Sequence, residues 1–78
     1  SAASAVYKRQ EWNQAGIHFE KVIRARPTDE KSHYNLGVIL AKQDKWKQAA
    51  EHFQTALRLR PDFTQARIQL ERVQKNIE

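Results

Sequence analysis

Three histidines, two glycines and no cysteine bound the chemistry this chain can perform. His18 and His52 are separated by 34 residues, and His33 falls between them in the chain. No two form the i, i+4 pair that sets two imidazoles on one helical face around a metal ion. His18 and His52 are expected on neighbouring elements about 10 Å apart, with His33 on a different helix face. Without thiolates there are neither disulfides nor cysteine-ligated metal sites. Gly16 and Gly37 each stand alone inside helical sequence, so no glycine-rich loop cradles a phosphate. The serines, threonines and scattered histidines offer no recognisable nucleophile–base pair. The expectation is therefore no catalytic residue, no metal and no cofactor. What remains is recognition chemistry, carried by cations and amides.

The charge balance gives that recognition a direction. Fourteen basic side chains against nine acidic ones leave a formal +5. Such a balance favours an acidic peptide, an anionic surface or nucleic acid over a basic partner. Nucleic acid is the weaker choice. Lys45, Lys47, Arg58 and Arg60 add basic groups near one helix, but Glu20, Glu51 and Glu71 interrupt every basic cluster. The aromatic residues also fall at core spacing rather than interleaving with the cations. No apolar run approaches the roughly 18–20 residues of a membrane span, so no membrane insertion is expected. Ser1-Ala2-Ala3-Ser4 is too short and too polar for a secretory signal.

The elements that must position these groups announce themselves by repetition. Trp12, Gln14, Ala15, His18, Phe19, Arg24, Arg26 and Pro27 recur 34 residues later as Trp46, Gln48, Ala49, His52, Phe53, Arg58, Arg60 and Pro61. A fixed period of this length marks stacked helical hairpins, each burying a face on the next. Pro27-Thr28-Asp29 and Pro61-Asp62 break helices at equivalent places, because proline lacks an amide donor and clashes with the preceding turn. Asp29 or Thr28 is placed to cap the helix after Pro27, and Asp62 the helix after Pro61. Gln43-Asp44-Lys45 interrupts the apolar pattern, and Arg9-Gln10-Glu11 is expected to do so one period earlier.

Between these breaks the apolar residues recur at i, i+3, i+4 and i+7. The segment 30–43 has His33, Leu36, Gly37 and Leu40 on one face, and 45–59 has Trp46, Ala49, Ala50, Phe53, Ala56 and Leu57. Trp12, Ala15, Phe19, Val22 and Ile23 form the same stripe earlier; Phe63, Ala66, Leu70, Val73 and Ile77 form a later one. The pattern predicts a short leading helix over about residues 2–8 and four fuller ones, an all-α fold in one small domain. A chain this short buries only about 60–65% of its unfolded surface, so the core is thin. Gly16, in mid-helix, should cost about 0.5–1 kcal/mol.

These residues resemble the tetratricopeptide repeat (TPR), a helix–turn–helix unit of 34 residues. Tyr34-Asn35-Leu36-Gly37 matches the first helix of the unit, and Ala49, Phe53, Ala56 and Pro61 match the second helix and its terminal proline. His33 and Leu40 stand where the family usually has large aromatics. The resemblance divides the chain into a truncated unit over 1–29, a complete unit over 30–63 and a C-terminal capping helix over 64–78. It implies a short α-solenoid of about two repeats plus that cap. It further implies a non-catalytic module for protein–protein interaction within a larger scaffold or assembly protein.

In such arrays the first helix of each hairpin lines a concave groove. Carried over position by position, the groove residues are Lys31, Tyr34, Asn35, Val38 and Lys42, with Ser4 and Lys8 before them and Gln65, Gln69 and Arg72 after. Asn35 offers a donor and an acceptor to a peptide backbone. Lys8, Lys31, Lys42 and Arg72 make a positive stripe suited to acidic side chains or a terminal carboxylate. An extended or helical peptide segment, acidic in character, is the expected partner. Some family members hold acidic chaperone C-termini in a clamp of Lys, Asn, Asn, Lys and Arg. Only Asn35 matches that clamp here, and Gln65 and Gln69 replace its Lys and Arg. Apolar surface around Val6 and Tyr7 suggests an alternative, self-association into a homo-oligomer through the N-terminal end.

Overall fold

The computed structural model describes the backbone of residues 2–77 and the side chains of residues 9–77. Ser4, Val6, Tyr7 and Lys8, named above for groove and self-association, thus have side chains outside the described residues. Four helices follow one another: α1 (Ala2–Ala25), α2 (Glu30–Lys42), α3 (Trp46–Leu59) and α4 (Thr64–Ile77). No strand forms among the described residues. Packing runs in chain order, α1 on α2, α2 on α3 and α3 on α4, with α2 also touching α4. The result is a slab of 39 × 32 × 17 Å, a short stack of helices with an all-α core.

The proline breaks fall where proline chemistry puts them. Pro27 lies two residues beyond the end of α1, and Pro61 two beyond the end of α3. Asp29 takes the N-cap of α2 with extended backbone, and its carbonyl accepts the His33 amide at 3.3 Å. Its carboxylate does not cap a backbone amide; instead Oδ2 accepts the Ser32 hydroxyl at 2.6 Å. Asp62 does not cap α4. That helix begins at Thr64, so Phe63 holds the position equivalent to Asp29 and its carbonyl accepts the Arg67 amide at 3.2 Å. The Asp62 carboxylate turns to Arg60 Nε at 3.4 Å, an exposed pair of little energetic weight.

The leading break does not exist. Arg9, Gln10 and Glu11 continue the helix, and α1 is one unbroken element of 24 residues. The equivalent turn between α2 and α3 shows why. Asp44 there adopts φ = 62°, the left-handed conformation that aspartate tolerates better than most residues. Gln10 replaces it one repeat earlier, and glutamine is a good helix former with no local bonding that favours such a turn. The predicted short helix and its successor therefore fuse.

The core gathers where the hairpin closes. Ala49, Phe53, Ala56 and Ala66 are wholly inaccessible, and Leu36 and Val73 nearly so. Gly37 is required by this packing: a Cβ there would lie 2.7–2.9 Å from the Phe53 ring, closer than real contacts allow. Gly16 is buried too, but a Cβ there would meet Ile39 at 3.5 Å and Leu36 at 3.8 Å, ordinary contact. Only the first glycine is sterically demanded.

Candidate functional site

Helix geometry brings the expected groove residues of α2 onto one line. Lys31, Asn35, Val38 and Lys42 are spaced 4, 3 and 4 apart, so they share a face. Gln65, Gln69 and Arg72 repeat the first steps of that spacing on α4, one repeat later, and α4 touches α2. Lys31, Lys42, Gln65 and Arg72 are exposed, whereas Asn35, Val38 and Gln69 are half-buried. Val38 packs against the main core while keeping part of its surface open, as an apolar floor must. Among the described residues the stripe contains three cations and no carboxylate.

Tyr34 has a different occupation. Its ring lies 5.8 Å from that of Phe53 and 5.0 Å from that of Phe63, centroid to centroid. It joins the core cluster around Leu36 and Phe53 to the smaller one of Ala56, Phe63 and Ala66. Aromatic pairs at these separations stabilise by about 0.5–1.5 kcal/mol beyond the area they bury. The tyrosine body is thus a bridge within the stack, with a half-buried edge left at the surface.

At the C-terminal end of α2 the stripe runs into a cleft of about 400 Å³. Arg9, Trp12 and Asn13 from α1 form one wall; Lys42 and the turn Gln43-Asp44-Lys45 form the other. The Lys42 ammonium sits 5.5 Å from the centroid of the Trp12 ring, a cation–π distance. The Gln43 side-chain amide donates to Asn13 Oδ1 and ties the walls together. Among the described residues, three cations thus face a single carboxylate, Asp44, around a space large enough for a side chain or a chain terminus. Arg9 and Lys45 were not anticipated here, because the hairpin turn expected at Arg9 would have carried that residue elsewhere. Gln65 lies apart from this cleft, in a smaller one at the other end of the stack with Arg60, Asp62, Phe63 and Thr64.

The histidines depart from expectation. His33 is not separated from His52: the two rings stack with centroids 5.4 Å apart, and their Nδ1 atoms are 3.2 Å apart. His33 is buried, and its Nε2 lies 2.9 Å from the Pro27 carbonyl oxygen. Burial and the neighbouring His33 lower the pKa of His52 from its ordinary 6.5, outweighing the pull of Glu51 and Glu20. The two residues are 19 apart in the chain, so no local spacing could reveal them. His18 stays exposed, edge-on to Phe19. Among the described residues no three potential metal-ligating side chains come together, and no helix is long and apolar enough to cross a membrane.

No curated protein matches the chain in sequence. Residues 30–63, the span of α2, α3 and the turn that follows, match the family model of the tetratricopeptide repeat. Repeats of this family generally mediate protein–protein interactions, and the family is typically not enzymatic. The match covers residues 30–63, the span that the sequence resemblance marked as one complete repeat unit.

Proposed function

We propose that this chain is a non-catalytic module of a larger scaffold or assembly protein. It takes up an acidic peptide segment along the α2 stripe, with one end in the cleft beside Trp12. The observation that carries this reading is the line Lys31, Asn35, Val38 and Lys42, continued on α4 by Gln65, Gln69 and Arg72. It combines an amide able to pair with peptide backbone, an apolar floor and three cations uninterrupted by a carboxylate. The cleft adds Arg9 and Lys45 where the stripe ends, so an acidic side chain or terminal carboxylate meets several cations at once.

The test is a titration with an acidic peptide followed residue by residue in amide NMR spectra. Shifts concentrated on α2, α4 and the Arg9–Lys45 cleft support the reading, as does weakened binding by a folded Lys31→Glu, Lys42→Glu double variant. Unchanged affinity in that variant removes it.

A second reading draws on α1. Ala15, Phe19 and Val22 are only half-buried, whereas their counterparts on α3 are fully enclosed. This apolar face supports self-association through the N-terminal part of the chain. Sedimentation across a concentration series decides it: a mass rising to that of a dimer favours the reading, and a constant monomer mass rejects it.

A further inference from the structure

The His33–His52 contact has no part in the peptide reading, yet its geometry dictates where the protons lie. The Pro27 carbonyl can only accept, so His33 Nε2 must carry a hydrogen and donate across the 2.9 Å separation. In a neutral ring that leaves His33 Nδ1 as an acceptor. His52 Nδ1 must then be the donor across 3.2 Å. The two imidazoles are locked in opposite tautomers, His33 protonated on Nε2 and His52 on Nδ1. The chain of bonds runs from α3 through α2 to the turn that joins α1 to α2.

Successive protons act differently on this chain. One added proton, on whichever ring, still leaves a single hydrogen between the Nδ1 atoms, so that bond stays in place and becomes charge-assisted. A second proton leaves both Nδ1 atoms carrying hydrogen. Two N–H groups then point at each other on two positively charged rings, one of them buried, and the bond is lost. We propose that His33 and His52 form an acid-labile latch between the α2–α3 hairpin and the Pro27 turn, closed with none or one added proton and opened by the second.

Opening bears on α1, because the Pro27 turn sets the entry of α2 against the preceding helix. The charged and titratable groups acting on His52 are His33 from α2, Glu51 from α3 and Glu20 from α1, and none comes from α4 among the described residues. The two glutamates favour the protonated ring, while burial and His33 oppose it more strongly. The folded state therefore binds protons less readily at His52 than the unfolded chain does. The stability this provides is full above the ordinary 6.5 and is lost as pH falls from there through the lowered folded value.

The experiment is a long-range proton–nitrogen NMR titration of the imidazoles of the 78-residue chain, with His18 as the exposed reference. It is paired with denaturant unfolding at about pH 7.5 and about pH 5. At the higher pH, His33 should show the Nε2–H tautomer and His52 the Nδ1–H tautomer. The folding equilibrium constant should fall several-fold in acid. His52→Asn keeps an amide donor near the position of Nδ1 but cannot titrate, and should lose much less. Finding the His52 proton on Nε2 at neutral pH would overturn the latch, as would equal acid loss in wild type and His52→Asn. The tautomer reading uses the wild-type chain alone, so it decides the matter even where the variant folds poorly.

Discussion

Ala15, Phe19 and Val22 on α1 hold the same places in the repeat as Ala49, Phe53 and Ala56 on α3. The second trio is wholly enclosed and the first is only half-buried. Two of the three side chains are identical, so composition is not the cause. The difference lies upstream, in the turn. Asp44 folds α2 back onto α3, whereas Gln10 lets α1 run straight through, so among the described residues no preceding helix folds back over α1 as α2 does over α3. A single turn residue thus separates a closed hairpin from an extended helix carrying much the same side chains. Burial in a repeat array belongs to the neighbour as much as to the residue.

The two phenylalanines should show the largest difference between α1 and α3. Phe53→Ala should cost about 3–5 kcal/mol, since it empties a fully enclosed site beneath Gly37. Phe19→Ala should cost about 1–2 kcal/mol, because part of its surface is already in water. Denaturant midpoints of the two variants measure the contrast, and equal losses would mean α1 is covered as completely as α3.

The glycines give a smaller effect, with opposite signs. Gly37→Ala drives a methyl into the Phe53 ring and should destabilise by about 1–3 kcal/mol. Gly16→Ala meets only ordinary contacts and removes a poor helix former, so it should stabilise by about 0.5–1 kcal/mol. Thermal unfolding should move in opposite directions for the pair. A stabilising Gly37→Ala would refute the close approach of α2 and α3.

The turn itself gives the smallest change. Asp44→Gly relieves the left-handed strain and should stabilise by about 0.5 kcal/mol. Gln10→Gly should instead weaken α1 by about 1 kcal/mol, since Gln10 lies within a helix. Circular dichroism should show reduced helicity for Gln10→Gly alone. Unchanged helicity there would return the break to Arg9–Glu11.

Much of this architecture was legible because it rests on local chemistry. Pro27, Pro61 and the apolar spacing place α2, α3 and α4 within a residue or so of their observed ends. Gly37 was legible as part of the Tyr34-Asn35-Leu36-Gly37 match, and the structure adds that helix pairing there leaves no room for a side chain. The fusion of α1 was hidden by the repeat itself, since strong similarity over residues 12–27 invited the turn to be copied along with it. Asking which residue supplies the left-handed backbone would have distinguished Gln10 from Asp44. The α2 stripe came from the family resemblance, carried over position by position, and not from spacing alone. The cleft did not, because Arg9 was expected in a turn and joins Trp12 and Asn13 on one wall through the continuity of α1. His33 and His52 meet across two helices, a matter of packing angle that the one-dimensional pattern does not carry.

Selection of an acidic ligand by position on the α2 face, rather than by net charge alone, is the proposed mode of recognition. Its most direct test compares two double variants of equal charge. Lys31→Glu with Lys42→Glu alters the stripe, and Lys47→Glu with Arg58→Glu alters exposed positions on α3. The affinity of each folded variant for one acidic peptide would be measured by calorimetry at matched ionic strength. A large loss in the α2 variant with near wild-type affinity in the α3 variant is the predicted result. Equal loss in both would reduce the interaction to bulk charge and overturn the α2 site.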